Sequence, residues 1–246
     1  MSQIIFHGCS WTWGSGLQYY YLKEKHDYSI EKMNNFLPHE VRLEYFSRKV
    51  DDYRKKHHFP NLVSEHFDVP YLLAREGNGG DNHSIWKNIK NAENYEHNSV
   101  YAHIVQLSAP MRGPDSPILQ DKDAGISDII RFQVEKVLEG VKNRMFPQPA
   151  SPVFFICWFK EHADYILNEY PDKLIYILHK NKEYTSFDQI TDRGHTARER
   201  AEKDKITISY DIGVNDGHFS KKGHKLIADS VIRKLSKNVE FTTIKI

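Results

Sequence analysis

Two short stretches near opposite ends of the chain carry residue types that can do chemistry. The first is Gly8-Cys9-Ser10-Trp11-Thr12-Trp13-Gly14-Ser15-Gly16, close behind the apolar run Ile4-Ile5-Phe6. A serine hydroxyl becomes a nucleophile where a sharp strand-to-helix turn exposes Oγ and aims the residue's own N–H at the reacting oxygen. Small residues around Ser10 permit such a turn, and open α/β sheets build their sites at the C-terminal ends of strands. The competing reading is a plain connection in which Ser10 only caps a helix. A nucleotide cradle is a third, but these glycines follow neither G-x-G-x-x-G nor G-x-x-x-x-G-K-[ST].

The second stretch is Asp216-Gly217-His218-Phe219-Ser220, followed by Gly223-His224. A catalytic imidazole needs a carboxylate to hold one tautomer, leaving its other nitrogen to take the serine proton. Asp and His two residues apart in a loop before a helix can face one cleft. Alternatively, Asp216 and Ser220 merely cap that helix. His224 belongs to the first turns of the helix, where it packs or caps. Fourteen histidines invite a metal reading. There is, however, no H-E-x-x-H, no Cys/His ligand set and no Asp-rich calcium loop, so no metal site is expected.

Composition narrows the partners. Thirty-four Lys and Arg against thirty-three Asp and Glu leave a net charge of +1, which offers no general pull toward nucleic acid or anionic lipid. The cluster Arg54-Lys55-Lys56-His57-His58 reads as a solvated loop or helix end. Cys9 and Cys157 cannot form a disulfide framework, and both sit in apolar runs as buried free thiols. No run approaches the ~20 apolar residues of a spanning helix. The first six residues lack the basic and long apolar regions of a signal peptide, so a cytoplasmic site is expected.

Five apolar runs supply candidate strands to position these groups: Ile4-Ile5-Phe6, residues 69–73, Val100–Leu107, residues 153–159 and residues 174–178. Pro70 suits the second to a sheet edge; continuous apolar runs suit strands covered on both faces. Helices are predicted over 83–94, 127–143, 160–169 and from Ser220 onward. The second of these carries Ile129, Ile130, Phe132, Val134, Val137, Leu138 and Val141 on one broad face. The alternation predicts an α/β fold, a three-layer α/β/α sandwich around a mostly parallel five-stranded sheet. Residues 18–58 and 179–205 are too long for ordinary connections. They read as a partly helical cap or lid and a second excursion, both inserted in a single domain spanning 1–246.

Together, the two stretches resemble the SGNH, or GDSL-like, hydrolase superfamily, marked by a serine block after the first strand and an Asp–His block before the last helix. Residues 8–17, Gly-Cys-Ser-Trp-Thr-Trp-Gly-Ser-Gly-Leu, are similar to the divergent serine block of members found in phage genomes and bacterial polysaccharide loci. Asp-Gly-His-Phe-Ser-Lys-Lys-Gly-His-Lys-Leu-Ile-Ala, from Asp216, is similar to the Asp-x-His variant of the last block. Better-known members space that pair as Asp-x-x-His; Asn215 holds the earlier position here, which leaves Asp216 as the orienting acid.

The resemblance implies a flavodoxin-like sheet with Ser10, Asp216 and His218 as the catalytic groups. It also implies that Gly80, within Gly77-Asn78-Gly79-Gly80-Asp81-Asn82-His83-Ser84-Ile85, gives its N–H to the oxyanion, with Asn82 assisting. The family's third block, Gly-x-Asn-Asp, is replaced by Leu107-Ser108-Ala109-Pro110-Met111-Arg112. Pro110 has no N–H to donate, so Asn82, Ser108 or Arg112 would have to compensate. Loss of one such donor costs roughly 10²–10³ in turnover. The implied activity is ester hydrolysis through an acyl-enzyme on a small-molecule or carbohydrate ester such as an O-acetyl group, with no metal or organic cofactor. Acyl transfer to a sugar would use the same residues. A non-catalytic glycan- or protein-binding module on the same fold is the alternative from a different class.

Overall fold

Gln3, Ile4, Ile5, Phe6 and His7 are all buried, as a strand covered on both faces requires. This strand, β1 (Gln3–His7), is the second in a parallel sheet. The computed structural model describes residues 3–26, 47–74, 82–90, 100–112, 116–142, 151–191, 205–213 and 217–238. After β1 come α1 (Ser10–Trp13), α2 (Gln18–His26), α3 (Arg48–His57), α4 (Phe59–Phe67) and β2 (Tyr71–Leu73). The middle of the chain gives α5 (Asn82–Lys90), β3 (Val100–Leu107), α6 (Pro117–Gln120), α7 (Ile126–Lys142), β4 (Val153–Cys157) and α8 (Lys160–Glu169). The rest gives β5 (Ile177–His179), β6 (Lys182–Tyr184), α9 (Asp188–Thr191), α10 (Ile208–Asp211) and α11 (Lys221–Asn238).

Among the described residues the central sheet has four strands in the order β2-β1-β3-β4. Every pairing in it is parallel, with Ile5 opposite Leu72 and His103, and Val105 opposite Phe155. Pro70 precedes the edge strand β2 and gives its carbonyl to Ile4 N–H at 3.0 Å, consistent with a residue that accepts but cannot donate. The two sheet faces carry separate apolar clusters. Ile4, Phe6, Ala102, Ile104, Phe154 and Ile156 pack with α4 and α11; Val105, Leu107, Val153 and Phe155 pack with α5, α7 and α8. Helices therefore flank the sheet, and both cysteines are buried free thiols. No helix among the described residues is long and apolar enough to cross a membrane.

The run 174–178 adds no fifth ladder to this sheet. Leu174 makes one parallel bridge to Phe155, and Ile175 N–H reaches the Phe155 carbonyl at 2.8 Å. The chain then leaves as the antiparallel hairpin β5–β6. Its turn holds Lys180 at φ 49° and Asn181 at φ 62°, two successive left-handed residues of the kind tight hairpins demand. Ser186 returns to bridge Cys157. The continuous apolar run concealed this exit, because Leu178 is exposed while its neighbours Ile177 and His179 are buried.

Helix α4 was not anticipated. Pro60 stands in its first turn, Asp68 ends it at φ 51°, and Phe59 and Val63 bury one face. That face lies against α11, whose own buried stripe runs through Ile227, Val231 and Leu235. Between them α4 and α11 cover one side of β1 and β3.

The start of α11 is tightly packed. A Cβ on Gly223 would overlap the carbonyl oxygen of Ile206 and lie 3.1 Å from Phe219 Cβ. Gly223→Ala is therefore expected to destabilise the protein by about 1–3 kcal/mol, although alanine is the better helix former by about 1 kcal/mol. Gly125→Ala, whose methyl meets only Asp128 Oδ2 at 3.5 Å, is expected to stay within about 0.5 kcal/mol. Urea midpoints measure both, and equal midpoints would remove this packing account.

Candidate functional site

Strand β1 ends at His7, and the chain turns at once. A Cβ on Gly8 would overlap Thr12 Oγ1, so only glycine lets α1 fold back this closely. Thr12 Oγ1 donates to Gln106 Oε1 at 2.5 Å, pinning α1 to the end of β3. Ser10 opens α1, so its N–H has no acceptor within that turn. The Ser10 carbonyl receives both Gly14 N–H (3.0 Å) and Ser15 N–H (2.9 Å). Gly14 and Gly16 sit at φ 87° and 88°, conformations that stop the helix after one turn and that other residues resist.

The other half arrives from the C-terminal segment. Thr207 bridges Phe219 antiparallel, Ile208 N–H donates to the His218 carbonyl at 2.9 Å, and Ser220 N–H donates to Ile206 O at 2.8 Å. Phe219 is fully buried against the rings of Trp158 and Phe187. Ser220 Oγ caps α11 by accepting Gly223 N–H at 3.0 Å. His218 is thus held through its own carbonyl and through Phe219 and Ser220 after it, and its Nε2 lies 2.8 Å from Ser10 Oγ. Ser10 is 7% exposed and His218 is half-buried, so the serine is the better shielded of the two.

The remaining sequence-derived residues divide. Asp216 and Gly80 lie outside the described residues. Asn82 lies beside Ser108, but its amide is committed there. Its Oδ1 accepts Ser108 N–H at 2.7 Å, and its Nδ2 donates to Ser108 O at 3.1 Å and to Gln133 Oε1 at 2.8 Å. No amide hydrogen remains for an oxyanion. Arg112 is exposed, with Nη1 3.5 Å from Ser108 Oγ, so these two do meet on the loop after β3.

Gln133 was missed by sequence reading and is the hub of this region. Its Nε2 donates to Pro110 O at 2.8 Å, while its Oε1 also accepts from His162 Nε2 at 2.9 Å. The signal was present: Gln133 is a polar residue in the apolar row of Ile129, Ile130, Val134 and Val137, and it is 4% exposed. A polar group in that position must be hydrogen-bonded, and here it ties α5, α7, α8 and the loop after β3 together.

The basic cluster 54–58 is not a solvated end. Lys56 is exposed, whereas Arg54 and His58 are buried, Arg54 with 1% exposure and His58 with none. Helix α3 turns its Val50 and Arg54 inward, against the serine turn. His58 Nε2 lies 2.9 Å from Tyr71 OH, and burial with the nearby Arg54 charge drives its pKa down to about 3. Burial also takes His162 down to about 4. His224, fully buried and flanked by His58 and His218, is held well below the usual imidazole range. It is neutral and accepts Phe59 N–H on Nδ1 at 3.3 Å. Among the described residues no three His, Cys, Asp or Glu side chains group as a metal ligand set.

Helix α2 reaches the same region. Tyr20 OH donates to Asp211 Oδ2, and Lys221 pairs with Glu24 at 2.5 Å while lying over the Tyr20 and Tyr53 rings. Both described parts of the 18–58 excursion therefore pack against elements that carry the site. No protein-family model matches this chain, and no curated protein or solved structure matches it.

The three depressed imidazoles set an acid limit. Each folded pKa lies below the ordinary value of 6.5, so protonation favours the unfolded chain. The stabilisation is complete above about pH 6.5 and is lost as pH falls toward the folded values. Between about pH 7 and pH 5 His58 and His162 are each expected to cost the fold about 2 kcal/mol, and His224 acts in the same direction. Urea unfolding across that window measures it, and stability that stays flat overturns the assignment of neutral, buried rings.

Proposed function

We propose that this chain is a serine hydrolase of the SGNH type, with Ser10 as nucleophile and His218 as general base. One observation carries the reading: the 2.8 Å contact between His218 Nε2 and Ser10 Oγ, made by residues 208 positions apart. The parallel order β2-β1-β3-β4, with the serine after β1 and the histidine before helix α11, supports the same family and its flavodoxin-like type of sheet.

In the proposed reaction Oγ attacks an ester carbonyl while Nε2 removes its proton. The Ser10 and Gly80 N–H groups hold the oxyanion. On collapse the bond to the leaving alcohol breaks, and His218 hands the proton to that oxygen. Water, deprotonated by the same nitrogen, then attacks the acyl-serine and releases the carboxylic acid and free Ser10. Asp216 orients the imidazole. With the Asn82 amide committed and Pro110 unable to donate, Ser108 Oγ and Arg112 are left as side-chain aids. The substrate is a carbohydrate O-acyl ester or a similar small ester met in the cytoplasm, and no cofactor takes part.

A binding module without catalysis is the second reading. It is favoured by the loop after β3, where Gln133 takes the Pro110 carbonyl and Asn82 the Ser108 N–H, leaving no asparagine donor. The two readings part in one experiment. A fluorophosphonate probe is expected to label wild type at Ser10, and p-nitrophenyl acetate turnover is expected to fall about 10³-fold or more in Ser10→Ala and His218→Ala. A wild-type protein that neither labels nor turns over a short acyl ester leaves only the binding module.

A further inference from the structure

The guanidinium of Arg54 is buried behind the serine turn and belongs to neither sequence motif. A buried cation is costly unless it is paired and hydrogen-bonded, and Arg54 is matched on three sides. Nε and Nη2 donate to Asp51 Oδ1 at 3.0 and 2.6 Å. Nη1 donates to the Trp13 carbonyl, and the guanidinium carbon lies 3.7 Å from the Trp13 ring centroid. Trp13 is the last residue of α1, and Gly14 ends that helix in a left-handed conformation. Its carbonyl is one of those a helix C-terminus leaves without a partner inside the helix. Arg54 supplies the missing donor.

The same short segment reaches the other half of the pair. A Cβ on Gly14 would lie 2.9 Å from His58 Cβ, so residue 58 abuts the serine turn directly. One residue on, Phe59 N–H donates to His224 Nδ1 at 3.3 Å, and the Phe59 ring stacks on that imidazole. His224 N–H in turn donates to the Ser220 carbonyl at 2.9 Å, two residues beyond His218. Residues 54–59 therefore touch both the turn that carries Ser10 and the helix that follows His218.

We propose that Arg54 is a positioning residue for the Ser10–His218 pair, acting through the Trp13 carbonyl to hold the serine turn at hydrogen-bond distance from the imidazole. The role rests on the hydrolase reading for its purpose, while the distance it sets is measurable without any turnover. Lysine reaches one acceptor with a point charge, whereas the planar fork serves Asp51 and Trp13 together. Small displacements remote from the chemistry can cost about 10²-fold in rate.

The test compares wild type, Arg54→Lys, Arg54→Met and Asp51→Asn, with Ser10→Ala as reference. The primary readout is the ¹⁵N resonance of His218 Nε2, which reports the hydrogen bond to Oγ. Ser10→Ala defines the shift on losing that bond. Arg54→Met is expected to move the resonance most of the way to it, and Arg54→Lys part of the way. Fluorophosphonate labelling of Ser10 is expected to slow about 10²-fold in Arg54→Met, less in Arg54→Lys. Folded Arg54 variants whose His218 resonance coincides with wild type overturn the proposal. If neither Arg54 variant folds, Asp51→Asn decides: a smaller shift in the same direction supports the proposal, and an unmoved resonance overturns it. Absence of labelling in wild type, with the resonance shifts intact, counts against the hydrolase reading alone.

Discussion

A hydroxyl and an imidazole separated by 208 positions stand 2.8 Å apart, and no local interaction could hold them so. The contact exists because two connections of different origin finish at the same rim of one parallel sheet. One leaves β1 through a glycine that α1 overlies so closely that no side chain would fit. The other is a loop stitched by two hydrogen bonds to residues 206–208 and anchored by the buried ring of Phe219. Each half is tied down by its own contacts, and their separation depends on how helix α11 and strand β1 pack, through α4 and the apolar cluster between them, and on the Arg54 contact behind the serine turn.

Polar groups, more than apolar ones, specify this end of the sheet. His7 and His103 share a 3.0 Å contact between adjacent strands, and Thr12 meets Gln106. Asn82, Gln133 and His162 form a connected set under the loop after β3. A buried polar atom left unmatched costs about as much as several well-packed methylenes contribute. Such a network therefore admits few alternative arrangements, and an apolar surface of equal size would tolerate sliding. Three of the histidines, His7, His103 and His162, have this architectural use.

The strand Val100–Leu107 and the long amphipathic helices were legible, whereas the runs 69–73 and 153–159 overran their strands, Tyr71–Leu73 and Val153–Cys157. Helix α8 begins and ends where its pattern said it would, and α7 within one residue, because periodicity over ten or more positions reports a buried face directly. Three elements were not legible. The run 174–178 looked like a strand because apolar residues are continuous there; only the left-handed pair at 180 and 181 turns it into a hairpin. Helix α4 was hidden because its nine residues give only a short periodic stretch, although a proline in the first turn is itself a helix-start signal. The cluster 54–58 was read by charge, and charge says nothing about which side of a short helix faces inward.

What the sequence determined by itself was chemistry and local form: a serine in a glycine-bounded turn after a buried strand, a histidine just ahead of a capped amphipathic helix, and apolar runs that must be covered on both faces. These depend on residue types within a few positions of one another. What only the tertiary structure decided were the distances between remote segments: which nitrogen faces Ser10, that the Asn82 amide is already engaged, and that an arginine from the 18–58 excursion lies behind the serine turn. Those outcomes follow from the packing of whole helices on a sheet, where shifts of about an ångström decide whether a hydrogen bond forms, and no spacing along the chain encodes them.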